Sequence, residues 1–153
     1  MKKVNSSVKA YKGLKVYKEY NSEAYAVITD VYFKKDDNRI FAFLINTLSL
    51  VPMHKVILVD SVSMLSNGEV HLRQSCEPMA LADFQKSIRN SCFTLKSIQG
   101  VSNGSSKMKL NDICFNSETG EITDVVISKK KFTKKNKVSI NKIVLKDNTI
   151  YVE

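Results

Sequence analysis

Hydrophobic and polar positions alternate along most of the chain, and the alternation repeats. Asp30-Val31-Tyr32-Phe33 matches Asp112-Ile113-Cys114-Phe115 at an offset of 82. At the same offset Ile40 faces Ile122, Phe43 faces Val125 and Ile45 faces Ile127. Further on the offset slips by one, so that Val59-Asp60-Ser61-Val62 faces Ile140-Asn141-Lys142-Ile143. It slips once more where Val70-His71-Leu72 faces Ile150-Tyr151-Val152. Identity is low, but the apolar positions and the turns agree, which predicts a duplicated unit.

Each half reads as short strands. Tyr25 to Phe33 and Arg39 to Ile45 flank a turn at 34–38, with Asp36-Asp37-Asn38 as turn residues. Met108 to Phe115 and Glu121 to Ile127 flank Asn116-Ser117-Glu118-Thr119-Gly120. Each half closes on a smaller pair: Asp60 to Leu65 with Glu69 to Leu72, and Ile143 to Leu145 with Thr149 to Val152. The Asn67-Gly68 pair is a hairpin signal. Between the halves, Ala80, Leu81, Phe84 and Ile88 form an apolar helical stripe. With Glu77-Pro78 before it, the spacing predicts a helix over 78–89, opened by the proline. Five or six strands per half leave exposed edges unless the sheet closes. The expected fold is therefore mainly β: two small barrels in tandem, over 1–75 and 93–153, joined by a short helical linker over 76–92.

These units resemble the PRC-barrel family. The resemblance is carried by Leu110-Asn111-Asp112-Ile113-Cys114-Phe115, Ser117-Glu118-Thr119-Gly120-Glu121-Ile122 and Lys142-Ile143 in the second half. In the first half it is carried by Gly13-Leu14-Lys15-Val16-Tyr17 and Ile28-Thr29-Asp30-Val31-Tyr32-Phe33. The chain departs from the family in having Ala26 and Met108 where a glycine is usual. The family includes the cytoplasmic domain of the photosynthetic reaction-centre H subunit, the C-terminal domain of a ribosome maturation factor, and small sporulation-associated bacterial proteins. The resemblance implies a bacterial, cytoplasmic, non-enzymatic adaptor or protein-interaction module, in RNA metabolism or sporulation, with no cofactor.

Composition changes this picture little. The chain has 153 residues, 43% of them hydrophobic and 25% charged, as in ordinary globular proteins. Its longest apolar run, Phe41 to Ile45, is far short of the ~20 residues of a membrane helix. The basic N-terminus has no apolar stretch behind it, so a secretory signal is not expected. Cys76, Cys92 and Cys114 form no CxxC pair and have no histidine at ligand spacing, which fits a reducing compartment without a zinc site. No Gly-x-Ser-x-Gly elbow accompanies His54 or His71, and no phosphate-binding glycine loop precedes a helix. Asp30 and Asp112 hold equivalent positions and are expected to accept hydrogen bonds from turn amides, fixing their hairpins.

The net charge is +9, and all but three of the 24 basic residues are lysine. The exceptions are Arg39, Arg73 and Arg89. Base-reading proteins favour arginine, so the excess alone points weakly to nucleic acid. One concentration stands out. Lys129, Lys130, Lys131, Phe132, Lys134, Lys135 and Lys137 fall in a single loop. It reads either as a solvated loop or as a tongue for RNA phosphates, an acidic partner or an anionic membrane surface. Phe132 there could stack a base or dip into lipid. The equivalent loop of the first half is apolar: Leu48, Leu50, Val51 and Met53. Those side chains are expected to pack on the other barrel or on a second copy in a homodimer, or else to form a partner-binding patch.

Overall fold

The computed structural model describes residues 5–18, 21–64, 68–73, 76–129 and 134–153, with Met64 through its backbone alone. In chain order the first half runs β1 (Asn5–Ser7), α1 (Val8–Tyr11), β2 (Lys15–Tyr17), β3 (Ala26–Lys34), β4 (Arg39–Thr47), β5 (His54–Leu58), β6 (Val62–Met64) and β7 (Val70–Leu72). Then come β8 (Met79–Ala80), α2 (Leu81–Ile88) and β9 (Cys92–Phe93). The second half continues with β10 (Gly100–Asn103), β11 (Ser106–Asn116), β12 (Ile122–Ser128), β13 (Asn136–Ser139), β14 (Ile143–Lys146) and β15 (Thr149–Val152). The protein is mainly β, with curled sheets. Among the described residues, no helix is long and apolar enough to cross a membrane.

The two halves share their topology strand by strand. The first sheet has the order β6-β7-β2-β3-β4-β5-β8, and the second β13-β12-β11-β10-β15-β14. In each, a parallel pair (β2 with β7, β10 with β15) lies between antiparallel neighbours. Register agrees as well. Val31↔Phe43 corresponds to Ile113↔Val125, and Phe33↔Ile40 to Phe115↔Ile122.

Even the irregularities coincide. Ile28, Val31 and Phe33 are all buried, although strict alternation would send Ile28 and Val31 to opposite faces. One extra residue, Thr29, sits in a register shift between Ile28 and Asp30 and turns Val31 inward. The second half repeats this between Leu110 and Asp112, and again two residues later in both hairpins. At each first bulge the aspartate accepts the amide of the next residue: Val31 N at 2.8 Å on Asp30, Ile113 N at 2.9 Å on Asp112. This corrects the expectation of turn amides: the aspartates fasten bulges inside strands.

A local two-fold relates the halves. Arg39 and Glu121, equivalent by repeat to each other's partner positions, form an isolated antiparallel bridge. On either side Ile40 N donates to Gly120 O at 2.9 Å and Ile122 N donates to Asn38 O at 2.8 Å. The N-terminal strands are exchanged across this axis. β1 precedes the first half but pairs with β11, while β9 precedes the second half but pairs with β3. The turns after them match. Ala10 N donates to Ser7 Oγ, and Ser97 N donates to Thr94 Oγ1. Tyr11 and Ile98 then enter the core at equivalent places.

Exchange leads to one shared apolar core. The Tyr11 ring lies 5.8 Å from Phe43 and 5.0 Å from Phe115, and Phe33 lies 6.0 Å from Phe115. All four belong to a single buried cluster drawn from both halves.

The helix expected over 78–89 occupies Leu81–Ile88. Pro78 does not open it, because Met79–Ala80 first pair with β5 as a short strand. Its apolar stripe lies on the first sheet, where Phe84 meets Tyr32 at 5.0 Å and Phe41 at 6.0 Å. The Gly/Ser-rich segment 100–106 forms strand β10 and a hairpin turn at Gly104, whose φ is 63°.

Candidate functional site

The first-half loop between β4 and β5 is a built structure. Thr47 N donates to Met53 O at 3.0 Å, and Met53 N donates to Thr47 Oγ1 at 2.8 Å. Ser49 Oγ lies 3.0 Å from Thr47 Oγ1 and donates to Val51 O at 2.7 Å. Leu48 N ties the loop to Tyr25 O at 2.9 Å. These bonds close the loop across Thr47 and Met53 and fasten it to Tyr25, while the apolar side chains between them are exposed. Leu48 is 55% exposed, Leu50 105%, Val51 75% and Met53 53%.

Packing of these side chains on the other half does not occur. The reason is the two-fold. β4 and β12 start beside each other at the Arg39–Glu121 bridge and run antiparallel, so their far ends diverge. Thr47, at the end of β4, and Ser128, at the end of β12, therefore lie on opposite sides of that bridge. Apolar residues follow the first in sequence and lysines the second.

Of the second-half lysines singled out from sequence, Lys129, Lys134, Lys135 and Lys137 are exposed. Lys130, Lys131 and Phe132 lie outside the described residues. Lys137 belongs to β13 rather than to a loop, opposite Val126. Its charge is felt at Cys114, whose thiol is pushed up mainly by burial and by Asp112, with Lys137 opposing. The three cysteines are free thiols, each half-buried.

The titratable residues singled out from sequence have structural partners. His71 Nε2 lies 3.0 Å from Glu69 Oε2, and its ring stacks on Tyr17 at 5.2 Å. His54 is exposed at the start of β5. Asp30 is buried, and burial pushes its carboxyl above the usual range against the Val31 amide, Lys12 and Lys96. Asp112 also accepts Lys9 N at 3.2 Å, so this side chain fastens the exchanged N-terminus to the second sheet.

Two clefts lie under the hairpin turns at the two-fold, and they are equivalent by repeat. Asn38 sits over Ile122, Val125, Ile140 and Ile143 in a cavity of about 30 Å³. Its counterpart sets Gly120 over Ile40, Phe43, Val59 and Val62 and opens to about 280 Å³, with Asp60, Arg73 and Glu118 exposed at the rim.

Sequence reasoning missed the outward face of β10, β11, β14 and β15. Val144 pairs with Tyr151, Tyr151 with Ser102, and Ser102 with Lys107. Val144 and Tyr151 are 44% and 43% exposed. The alternation of Val144, Lys146, Thr149 and Tyr151 with inward residues was the available signal.

A scan against protein-family models matches none of them, and a search of curated proteins finds no match.

Proposed function

We propose that the chain is a non-enzymatic adaptor built from two PRC-type barrel units, over 1–75 and 93–153 with a helical linker over 76–92, that docks a partner protein through the apolar tip at 48–53. What supports the barrel reading is the shared strand order, register and bulge position of the two halves. The single observation that carries the docking reading is Leu50, wholly exposed on a loop whose own hydrogen bonds hold it in place. Apolar side chains held outward before binding lose little conformational freedom on binding, which favours affinity. The tip is a convex loop. Two such tips meeting head-on bury far less than the ~800 Å² per partner of a stable interface. A convex anchor suits an apolar groove on a different protein, in the manner of a hot-spot residue filling a pocket.

The test compares the full chain with Leu50→Asp/Val51→Asp and with Lys134→Gln/Lys135→Gln as bait in native-host extract. A stoichiometric partner kept by the lysine variant and lost from the tip variant supports the proposal. Recovery of no such partner, or its retention by the tip variant, overturns it. Light scattering and flotation with phosphatidylserine vesicles run on the same proteins. A dimer, or vesicle binding, that the tip variant abolishes would replace the partner protein with a second copy or a membrane.

A further inference from the structure

The outward face of the second half has a chemistry that the apolar tip does not explain. Four strands lie side by side in the order β11-β10-β15-β14. Their outward positions are Lys107 and Lys109, Gly100 and Ser102, Thr149 and Tyr151, and Val144 and Lys146. None of these positions carries a carboxylate. Among the described residues no salt bridge involves the three lysines. A shallow groove of about 380 Å³ runs across the face, floored at Gly100 and walled by Lys107, Thr149 and Tyr151.

The first half shows what is distinctive here. Its equivalent of Tyr151 is His71, and its equivalent of Ser102 is Tyr17. There the two rings stack on each other, 5.2 Å apart and 19° from parallel, and Glu69 sits against the imidazole. Ser102 is too small to cover Tyr151 in that way. Among the described residues the Tyr151 ring has no ring or cation partner, so one aromatic face is open to a ligand.

We infer that this face, centred on Tyr151 with Lys107, Lys109 and Lys146, binds single-stranded nucleic acid. An open ring stacks an unpaired base, and the lysines pair with phosphates on either side of it. Lys107 stands two strand spacings from Tyr151, about 10 Å, within reach of a neighbouring phosphate for a side chain of lysine's length. No arginine takes part, so the face reads backbone and stacking rather than sequence. An acidic peptide would engage the lysines but has no use for an open tyrosine ring.

The test uses the full chain and a fluorescein-labelled 12-nucleotide oligouridine, read by anisotropy from 50 to 200 mM salt. Micromolar binding at low salt is expected. Tyr151→Ala weakens it by about tenfold, whereas Tyr151→Phe, which keeps the ring, leaves it near wild type. Lys107→Gln/Lys109→Gln/Lys146→Gln flattens the plot of log affinity against log salt by about 2, at ~0.7 per phosphate contact. Circular dichroism confirms that each variant is folded, and Lys86→Gln, at an exposed lysine on α2, serves as a variant that leaves this binding unchanged. Absence of binding at 50 mM salt overturns the inference, as does an unchanged salt slope in the triple-lysine variant. An affinity indifferent to Tyr151→Ala, or equal displacement by a polyglutamate peptide, assigns the face to an acidic protein segment instead.

Discussion

The two halves of this protein share their inward positions and differ on their outward ones. Ile28, Val31 and Phe33 enter the core through the same bulge as Leu110, Ile113 and Phe115. The loops that follow the matching hairpins end in Leu50 on one side and in Lys134 and Lys135 on the other. The outer aromatic position holds a histidine covered by Tyr17 in one half and an uncovered tyrosine in the other. The clefts under the two turns are closed by isoleucines in one and rimmed by charge in the other. Packing density leaves little room for divergence inside, because one methylene too many or too few is felt there. Outward positions are free of that constraint, and there a duplicated scaffold acquires two chemistries.

The largest expected effect tests whether the halves are energetically one body. Phe33 and Phe115 are fully buried, each from a different half, and their rings meet at 6.0 Å. Phe115→Ala is expected to cost about 3–5 kcal/mol, and Phe33→Ala a similar amount. Because the core is shared, denaturant unfolding should stay a single transition in both variants. The double variant should lose less than the two single losses combined, since the rings touch. A Phe115→Ala protein in which the first half melts at its original midpoint would show two independent bodies.

The next contrast separates the equivalent aspartates. Asp112 holds two backbone amides, of Ile113 and of Lys9, and Lys9 follows the exchanged strand β1. Asp112→Ala leaves both donors without it, at a cost of about 1–3 kcal/mol. Hydrogen exchange at Ser6 and Ser7 should quicken, because β1 loses its fastening. Asp30 holds a single amide, and burial raises its pKa. The raised folded pKa fixes the sign. Its favourable contribution is fully present below the unfolded pKa, near 4, and is lost as pH rises through the folded value. Asp30→Asn should therefore raise the melting temperature at pH 7, and the gain should vanish below pH 4. A gain that persists at pH 3 would mean that ionisation of Asp30 is not its source.

The sequence made the hairpins of β3 with β4 and β11 with β12 legible, because a buried strand face leaves an alternating trace. The exchange of β1 and β9 left a trace too. Ser7-Val8-Lys9-Ala10-Tyr11-Lys12-Gly13 matches Thr94-Leu95-Lys96-Ser97-Ile98-Gln99-Gly100 position for position. The spacing to the next strand differs between the halves. Eight residues separate β2 from β3, whereas a tight turn at Gly104 joins β10 to β11. Comparison at one fixed offset cannot align both segments. Which sheet each strand joins was not legible at all, since pairing across the two-fold is non-local. The apolar tip is legible as apolar, but hydropathy alone does not distinguish packing on the other half from packing on a second copy or a patch open to a partner, and in the single chain these side chains are exposed.

The smallest expected effect lies at the two-fold itself. Arg39 and Glu121 face each other across it, in contact through Arg39 Nη2 and Glu121 Oε1. Both side chains are about half exposed, at 50% and 52%. Solvent screens such a pair, and measured values for exposed pairs run about 0.2–1 kcal/mol. The backbone bonds of Ile40 with Gly120 and Ile122 with Asn38 flank the ion pair and do not depend on it. Arg39→Ala should therefore cost no more than about 0.5 kcal/mol in denaturant unfolding, and 1 M salt should remove that difference. Gly120→Ala acts on the backbone at the same point. Gly120 has a φ of 77°, and an added Cβ would lie 3.6 Å from Ile40. Strain in the left-handed region rather than crowding should make this variant worse than Arg39→Ala, by about 1 kcal/mol. If Arg39→Ala proves the more damaging of the two, the halves are joined by side-chain charge rather than by the exchanged and bridged backbone.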